Sequence, residues 1–365
     1  MPNTVLDRRT LNRALLDRQL LLERSEMSAL DVIEHLVGMQ SQAPDAPYVG
    51  LWTRLKHFSF AELAGLMTER RAVRIVLMRG TVHLVSASDA LALRPVVQPM
   101  LERQFRSSTW SPGVRGVDRE ELVAAGRALV GERARNPAEL RAALGERWPQ
   151  ADPGSLVNAL RNWIPLVQLP PRGVWGKGGQ PVYATVEEWL GRTVESPDVG
   201  TVVRRYLGAF GPAGVADLQK WSGLTGLRQV VAGLGLRTYR DDQGRVLYDL
   251  PDAGLPDPDT PVPARFVADF DNLVLSHADR SRILGEVAPG QVMTVNGIVR
   301  GTVLVDGFVG GTWKFERRRG EAAVLVEPFG RIGIADREAL EAEGSRLLAA
   351  TDPQASAHAV RFTGS

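Results

Sequence analysis

GPAGVADLQKWSGLTGLRQVVAGLGLRTYRDDQGRVLYDL, residues 211–250, is the stretch that decides the fold. It begins with a short helix that a small residue opens and that carries the pair Asp217-Leu218, and a second apolar helix follows. Two apolar strands then flank DDQGR, residues 241–245, which is a strong hairpin turn. Two helices followed by a hairpin are the plan of a winged helix, a helix-turn-helix with an added β-ribbon.

The same plan occurs twice earlier in the chain. FSFAELAGLMTERRAVRIVLMRGTVHLVSA, residues 58–87, is one copy, with a hairpin that turns near residues 79–80. Residues 136–185 are the other, running from NPAELRAALGER through PGSLVNALRNWI to PLVQLPPRGVWGKGGQPVYAT. Breaks near Pro112 and at ESPDVG separate the copies, so the pattern predicts tandem winged helices. A helical protein with incidental hairpins is the weaker alternative.

The last third of the chain has another character. PDAGLPDPDTPVPAR reads as a proline-rich linker, and the residues after it alternate as strands. Their turns have hairpin chemistry, at Asn296-Gly297, Asp306-Gly307 and Arg319-Gly320, and the helix ADREALEAEGSRLLAAT closes the chain. We therefore expect a mixed α/β protein with this order of domains: N-terminal helices and a first winged helix (1–112), a second (113–195), a third (196–255) and a C-terminal antiparallel β-rich domain with a closing helix (256–365).

Composition excludes several classes of chemistry. The 365 residues are 44% hydrophobic, enough for more than one folded core, and contain no Cys. The absence of Cys rules out disulfides, cysteine-ligated zinc, iron–sulfur clusters and a thiol nucleophile, and it indicates a reducing compartment. Charges interrupt the N-terminal segment, and no run of 18 apolar residues occurs, so we expect a cytoplasmic protein without a signal peptide or a membrane span.

The charge pattern permits nucleic-acid binding without requiring it. The net charge is only +2, but 40 of the 44 basic residues are Arg, because only Lys56, Lys177, Lys220 and Lys314 are lysines. The planar guanidinium matches phosphate geometry. Codon bias in a GC-rich genome explains the same excess equally well.

Most candidate motifs have a plainer explanation. The chain has no GxSxG, HExxH or Walker sequence, and GVWGKGGQ reads as a turn of a wing. The segment VADFDNLVLSHADRSR contains four residues that could bind a hard metal ion: Asp269, Asp271, His277 and Asp279. Their spacing fits no known ligand pattern. The favoured interpretation is the end of a strand that leads into a polar loop. Arg280, Arg282 and the run Arg317 to Arg319 suit phosphates or a DNA groove, and for the run a solvated turn is an equal alternative.

Two glutamines in GMQSQAPDAP, residues 38–47, are harder to explain. Ser28 caps a helix that should end close to Gln40, because Pro44 and Pro47 stop it. Residues two apart in a helix point to nearly opposite sides, so Gln40 and Gln42 can face one site only if the backbone extends between them. A polar helix end is the plain alternative.

Several segments of the sequence resemble those of a known family, the AlkZ/YcaQ winged-helix DNA glycosylases. The resemblance is carried, in order and over nearly the whole chain, by LNRALLDRQLLLER, LVGMQSQAPDAPYVGLW, LMRGTVHLVSASDAL, PPRGVWG, YLGAFGPAGVADLQKWSGL, FDNLVLSHADRSRIL and NGIVRGTVLVDGFVGGTWKFE. It implies three winged helices around a basic cleft for duplex DNA, and excision of N7-alkylated purines. It places the catalytic Gln-x-Gln motif on Gln40, Ser41 and Gln42, which is typical of the AlkZ branch. That branch unhooks interstrand crosslinks as self-resistance to DNA-alkylating antibiotics.

The implied activity gives the two amides a physical role. An N7-alkylguanine already carries positive charge and leaves without protonation, so the enzyme has only to position a water and tolerate a cationic sugar. Glutamine carbonyls can accept from that water, NH2 groups can hold sugar or phosphate oxygens, and a helix C-terminus favours a cation. We expect a monofunctional enzyme, monomeric and without metal or other cofactor, whose DNA contacts include Arg280, Arg282, Arg300, Arg317, Arg318 and Arg319. The alternative is a non-enzymatic winged-helix DNA binder or regulator.

Overall fold

The computed structural model describes residues 4–193 and 197–363. Its helices are α1 (Arg8–Arg18), α2 (Ala29–His35), α3 (Ala46–Trp52), α4 (Phe60–Thr68), α5 (Ala87–Arg106), α6 (Arg119–Glu132), α7 (Pro137–Arg147), α8 (Pro153–Trp163), α9 (Val186–Leu190), α10 (Val199–Phe210), α11 (Val215–Ser222), α12 (Leu227–Ala232), α13 (Ser281–Leu284), α14 (Pro289–Val292) and α15 (Ile334–Thr351). Its strands are β1 (Val5–Leu6), β2 (Met39–Gln40), β3 (Ala72–Val76), β4 (Val82–Ser86), β5 (Leu166–Gln168), β6 (Tyr183–Thr185), β7 (Arg237–Asp241), β8 (Val246–Asp249), β9 (Arg265–Val267), β10 (Gly301–Val305), β11 (Phe308–Arg318), β12 (Glu321–Pro328) and β13 (Ala357–Phe362). This confirms the expected mixed α/β fold.

The first two hairpins belong to one sheet. Strands β3 and β4 pair antiparallel, and the turn between them falls at Arg79 and Gly80, as predicted. Strands β5 and β6 also pair antiparallel, and β3 pairs with β5, so the sheet order is β2-β4-β3-β5-β6. The sequence did not predict that the hairpins join or that β2 pairs on the outer edge of β4.

The third hairpin follows α10, α11 and α12. Strands β7 and β8 pair antiparallel around the DDQGR turn, and β1 adds to β7 in parallel, with Leu6 opposite Asp241. The helix pairs α7–α8 and α11–α12 each precede a hairpin as the sequence indicates, but residues 58–87 contain one helix, α4, instead of the expected two before the β3–β4 hairpin. Their assignment to three winged-helix domains, and the boundaries proposed for them, stay predictions. The boundary at residues 195–196 lies outside the described residues.

The C-terminal sheet has the order β13-β12-β11-β10-β9. The turns at Asp306-Gly307 and Arg319-Gly320 join antiparallel strands as expected. Residues 291–300 differ from the expectation of a strand, because they form the end of α14 and a tight turn closed by an isolated Met293–Val299 bridge. The chain also continues past α15, which crosses the sheet and returns β13 parallel to β12. The close approach of Gly344 to Val360 and Phe266 allows this packing.

Buried ion pairs connect the N-terminal part of the chain to later segments. The Arg54 guanidinium donates two hydrogen bonds to Asp271, at 2.8 and 2.9 Å, and both side chains are buried. Two such bonds also join Arg18 to Asp249, at 2.7 and 2.8 Å. The Arg54–Asp271 pair brings the segment after β9 next to β2, which contains the first of the two glutamines. No helix in residues 4–193 or 197–363 is both long and apolar enough to cross a bilayer.

Candidate active site around Gln40 and Gln42

The helix before the glutamines ends sooner than the sequence suggests. Ser28 accepts from Asp31 N at 3.2 Å as the N-cap, but α2 stops at His35. Val37 and Gly38 then adopt positive φ angles of 54° and 88°. A side chain at Gly38 would lie 2.5 Å from Val85 Cγ1, so this turn requires glycine. The expected helix end near Gln40 is therefore wrong, and a helix C-terminus does not supply negative charge there.

The backbone is extended from Gln40 through Ser41. Gln40 lies opposite His83 in the β2–β4 pair, and Ser41 N donates to Val82 O at 2.7 Å. This extension is the condition that the sequence set for two side chains, two residues apart, to serve one site. Gln42, which is exposed, accepts from Val82 N through Oε1 at 3.3 Å, whereas Gln40 is only 7% exposed.

Arg79 holds the Gln40 carboxamide. Its Nη2 donates to Gln40 Oε1 at 2.8 Å and to Asn272 Oδ1 at 2.7 Å, and its Nη1 donates to Trp221 O at 2.9 Å. Asn272 in turn donates to Gly38 O at 3.2 Å, two residues before Gln40. Burial lowers the pKa of Arg79 to about 10, and the nearby Arg280 adds to this effect. The guanidinium therefore stays charged at neutral pH.

A second buried arginine holds the middle of the motif. Arg74, on β3, donates from Nε to Ser41 Oγ at 3.0 Å and from Nη2 to Ser41 O at 2.8 Å. Burial lowers the pKa of Arg74 to about 10. The residue between the two carboxamides is consequently held by Arg74 and by Val82.

A cleft of about 210 Å³ lies beside the motif. Its lining includes Asp45 and Asp269, the aromatic rings of Trp175 and Trp313, and Arg317. Asp269 also lines the small cavity that contains Gln40. Within the described residues no basic nitrogen lies within 4.0 Å of either carboxylate. Desolvation raises the pKa of both groups.

The loop after β5 closes one side of this cleft. Trp175 N donates to Tyr48 Oη at 3.0 Å, and the same hydroxyl donates to Gly173 O at 2.9 Å. These contacts hold Arg172 near Asp45. Burial raises the pKa of Asp45, and the charges of Arg317, Arg74 and Arg172 act in the opposite direction. Three cationic side chains therefore act on one of the carboxylates that line the cleft.

The arginines proposed for DNA contacts occupy different environments. Arg318 and Arg319 are exposed at the β11–β12 turn, and Arg317 beside them forms an ion pair with Asp352 at 2.6 Å. Arg300 is exposed, 3.7 Å from Glu327. These four side chains are accessible from solvent.

Arg280 and Arg282 are less accessible. Arg280 is half-buried, and its Nη1 lies 3.3 Å from Met293 Sδ. Arg282 is 5% exposed and donates to Pro212 O at 2.7 Å. A phosphate contact by Arg282 does not fit this position, because its guanidinium is occupied inside the protein.

The residues considered as metal ligands also separate. Asp271 is paired with Arg54, and Asp279 is paired with Arg245. His277 Nε2 contacts Phe210 O at 3.0 Å, and burial keeps the ring uncharged by lowering its pKa to about 3. Asp269 alone of the four reaches the cleft. Residues 4–193 and 197–363 contain no group of three or more His, Asp or Glu side chains arranged to hold a metal ion.

Sequence reasoning missed the residues that support the glutamines. Arg79 was recognised only as part of a turn, and Arg74 and Asn272 not at all. The available signal was weak: an arginine in a hairpin turn is ordinary, and only the fold shows that this one faces inward. His83, opposite Gln40, was also missed; burial, with the charge of Arg79, lowers its pKa to about 3.

Comparison with known proteins gives three concordant results. The family model described as "DNA glycosylase AlkZ-like" matches residues 33–350. The "Interstrand DNA cross-link repair glycosylase" of Streptomyces sahachiroi is 25% identical over 360 residues, covering 92% of this chain and 94% of that protein. The solved structure of Streptomyces sahachiroi DNA glycosylase AlkZ superimposes with a TM-score of 0.82 at 21% identity, covering 99% of this chain and 100% of that one. The structural likeness supports the fold.

Proposed function

The chain belongs to the AlkZ-like DNA glycosylase family, whose members hydrolyse N-glycosyl bonds in DNA, and from that premise we propose that its substrates are purines made cationic by N7 alkylation. The observation that carries this proposal is the pair of carboxamides, Gln40 and Gln42, on one extended edge. Amides neither take nor give a proton at neutral pH, so they suit a base that leaves without protonation.

The orientation of the amides suggests how they act. Both carbonyl oxygens already accept one hydrogen bond, Gln40 from Arg79 and Gln42 from Val82. A carbonyl oxygen has a second lone pair, which can still accept from an attacking water, and the two NH2 groups can donate to sugar or phosphate oxygens. A contact that strengthens as the sugar becomes cationic lowers the barrier to bond cleavage.

The cleft contains groups that can contact a cationic base. Asp45 and Asp269 supply negative charge on its wall, and Trp175 and Trp313 supply aromatic faces. A planar cation is attracted both by carboxylates and by aromatic rings. A neutral base would gain less from these groups. We therefore propose that the damaged nucleotide is recognised here.

We also propose that the enzyme unhooks interstrand crosslinks. The relative from Streptomyces sahachiroi is named for that reaction, and a crosslink through purine N7 atoms presents the same cationic base. A role in self-resistance to a DNA-alkylating antibiotic is a further part of this proposal. The exposed arginines Arg300, Arg317, Arg318 and Arg319 are proposed to contact the duplex backbone, which carries a high density of negative charge.

Release of free base is the direct test. Purified protein is incubated with a duplex that contains a single N7-methylguanine, and with a matched duplex that contains uracil as a neutral base. We expect release of the cationic base alone. The variant Gln219→Ala, which removes an exposed glutamine on α11 outside the Gln-x-Gln motif, is the control for loss of a glutamine side chain and should release the base like the wild-type protein. Tight binding to the damaged duplex without any release would indicate a non-enzymatic DNA binder and contradict the proposal.

A further inference from the structure

Arg79 is a buried cation whose hydrogen-bond partners are all neutral. Its guanidinium contacts two carboxamide oxygens, of Gln40 and Asn272, and the carbonyl of Trp221. Among residues 4–193 and 197–363 no carboxylate lies within 4.0 Å of it. Burying a charge without an opposite charge is costly, and these neutral acceptors offset part of the lost hydration.

The backbone at this position is also unfavourable for arginine. Arg79 has a φ angle of 56° in the turn between β3 and β4, a left-handed conformation that glycine or asparagine adopts more readily. Gly80, which follows it, has a φ angle of 69°. Such strain persists where the surrounding contacts determine the conformation, and it is common at functional sites. The strained turn is what directs the guanidinium inward to Gln40.

The hydrogen bond from Arg79 decides which end of the Gln40 carboxamide faces the site. A guanidinium only donates, so the atom that it contacts must be the carbonyl oxygen, and the NH2 group is directed away. The described structure gives that NH2 group no protein acceptor, and it is not among the buried atoms that lack a partner. It therefore keeps some exposure, and Gln40 lines a small cavity.

We propose that Arg79 is a positioning residue, which holds Gln40 as a hydrogen-bond donor toward an oxygen or nitrogen acceptor of the damaged nucleotide. This proposal rests on the proposed catalytic function of Gln40. The charge of Arg79 also polarises the amide and strengthens its N–H groups as donors. Asn272, which shares the same guanidinium nitrogen and binds Gly38 O, keeps the arrangement in place.

The test compares four proteins and one control in single-turnover excision of N7-methylguanine. The variants are Arg79→Met, Arg79→Lys, Gln40→Ala and the double variant Arg79→Met with Gln40→Ala. Arg94→Met is the matched control, because Arg94 is similarly buried, has a pKa similarly lowered by burial to about 10, and bonds the Asn162 carbonyl far along the chain from the motif. Enzyme concentration is varied to separate the maximal rate from half-saturation, and thermal melting is recorded for each protein.

A positioning role predicts a particular pattern. Loss of a group that orients a functional side chain lowers the maximal rate about 10- to 100-fold, and Arg79→Met should do so without raising the half-saturating concentration. Arg79→Lys should recover part of the rate, because an ammonium can still donate to Gln40. The double variant should be no slower than Gln40→Ala, because Arg79 acts through Gln40.

Other results would overturn the proposal. If Gln40→Ala is slow but Arg79→Met matches Arg94→Met, Arg79 does not position Gln40, although Gln40 stays catalytic. If the two losses multiply in the double variant, Arg79 acts independently of Gln40. If Gln40→Ala excises at the wild-type rate, the catalytic function of Gln40 fails, and this inference with it. Should Arg79→Met not fold, Arg79→Lys and its double variant with Gln40→Ala answer the same question of additivity.

Discussion

Arg54 and Asp271 form a buried ion pair with two hydrogen bonds, which joins the turn after α3 to the segment following β9. Arg54 also donates to Gln19 O at 3.0 Å and to Gly50 O at 2.9 Å, so its guanidinium is fully occupied by protein. The pair has two consequences. It makes Asp271 unsuitable as a metal ligand, and it places the adjacent Asn272 beside Gln40.

Replacement of Asp271 by Asn should destabilise the whole fold. It leaves the Arg54 charge buried without a partner, and breaking a buried pair in this way costs about 3 to 5 kcal/mol in the free energy of unfolding. Urea denaturation measures the loss. Glu286→Gln is the control, since it removes an exposed ion pair with Arg8 and should leave the denaturation midpoint unchanged. Equal midpoints for the two variants would contradict the importance of the buried pair.

Base release should not depend on a divalent metal ion. Asp271, His277 and Asp279 are each engaged by other protein groups, so Asp269 and Asp45 are the carboxylates that line the cleft. Two carboxylates are too few ligands for a tight site. We expect the same excision rate with and without EDTA. Loss of activity in EDTA that Mg²⁺ or Mn²⁺ restores, and that Asp269→Asn also causes, would show that the metal interpretation is correct.

The tip of the β11–β12 hairpin should contribute to DNA binding without sequence preference. Replacing both Arg318 and Arg319 by Ala should weaken binding to any duplex, and each lost phosphate contact should reduce the slope of log K against log salt by about 0.9. Arg317 is left in place because it pairs with Asp352. Arg141→Ala, which removes an exposed side chain of α7, is a control for loss of charge alone. An unchanged affinity and salt slope would show that the tip is only a solvated turn.

The product should be an abasic site in an uncut strand. A glycosylase that also cleaves the strand uses an amine nucleophile, and the lysine at the cleft, Lys314, is exposed and outside the Gln-x-Gln motif. Borohydride added during the reaction should therefore trap no covalent protein–DNA adduct. A trapped adduct that disappears in Lys314→Ala would identify that lysine as the nucleophile and contradict the expected mechanism.

The sequence predicted features that depend on local patterns. The hairpin turns at 79–80, 241–245 and 306–307 are specified by residues close together in the chain, and the requirement for an extended backbone between Gln40 and Gln42 follows from helix geometry alone. Local signals are strong where glycine or a polar turn lies between apolar strands.

The remaining features depend on contacts between distant residues. The end of α2 is set by the approach of Gly38 to Val85, which helix propensity does not reveal. Asn272 reaches Arg79 from 193 positions away, and Arg282 is drawn inward by Pro212 O, although arginines in a polar segment normally indicate a surface. Tertiary packing overrides local preference in each case. The glutamines could be named from sequence, but the groups that orient them could not.

The two glutamines should differ in what their loss does to the protein. If both act in the transition state, Gln40→Ala and Gln42→Ala should each reduce single-turnover excision about 100- to 1000-fold, or roughly 3 to 4 kcal/mol, with little change in DNA binding. Only Gln40→Ala should also lower stability, by about 1 to 3 kcal/mol, because it removes an acceptor from the buried Arg79. Gln42 is exposed, so its replacement should leave melting unchanged.

Replacing Gln40 by Glu separates its role as a hydrogen-bond donor from its role as a partner of Arg79. Gln40→Glu keeps the shape of the side chain and still accepts from Arg79, but it has no NH2 group to donate. We expect it to excise as slowly as Gln40→Ala while melting at least as high as the wild-type protein, because a carboxylate pairs with the buried guanidinium. Single-turnover rates, duplex binding and thermal melting measured on the same preparations distinguish these effects.

Gln40→Ala and Gln42→Ala variants that bind, melt and excise like the wild-type protein would show that the pair is structural, and the catalytic assignment would then be wrong.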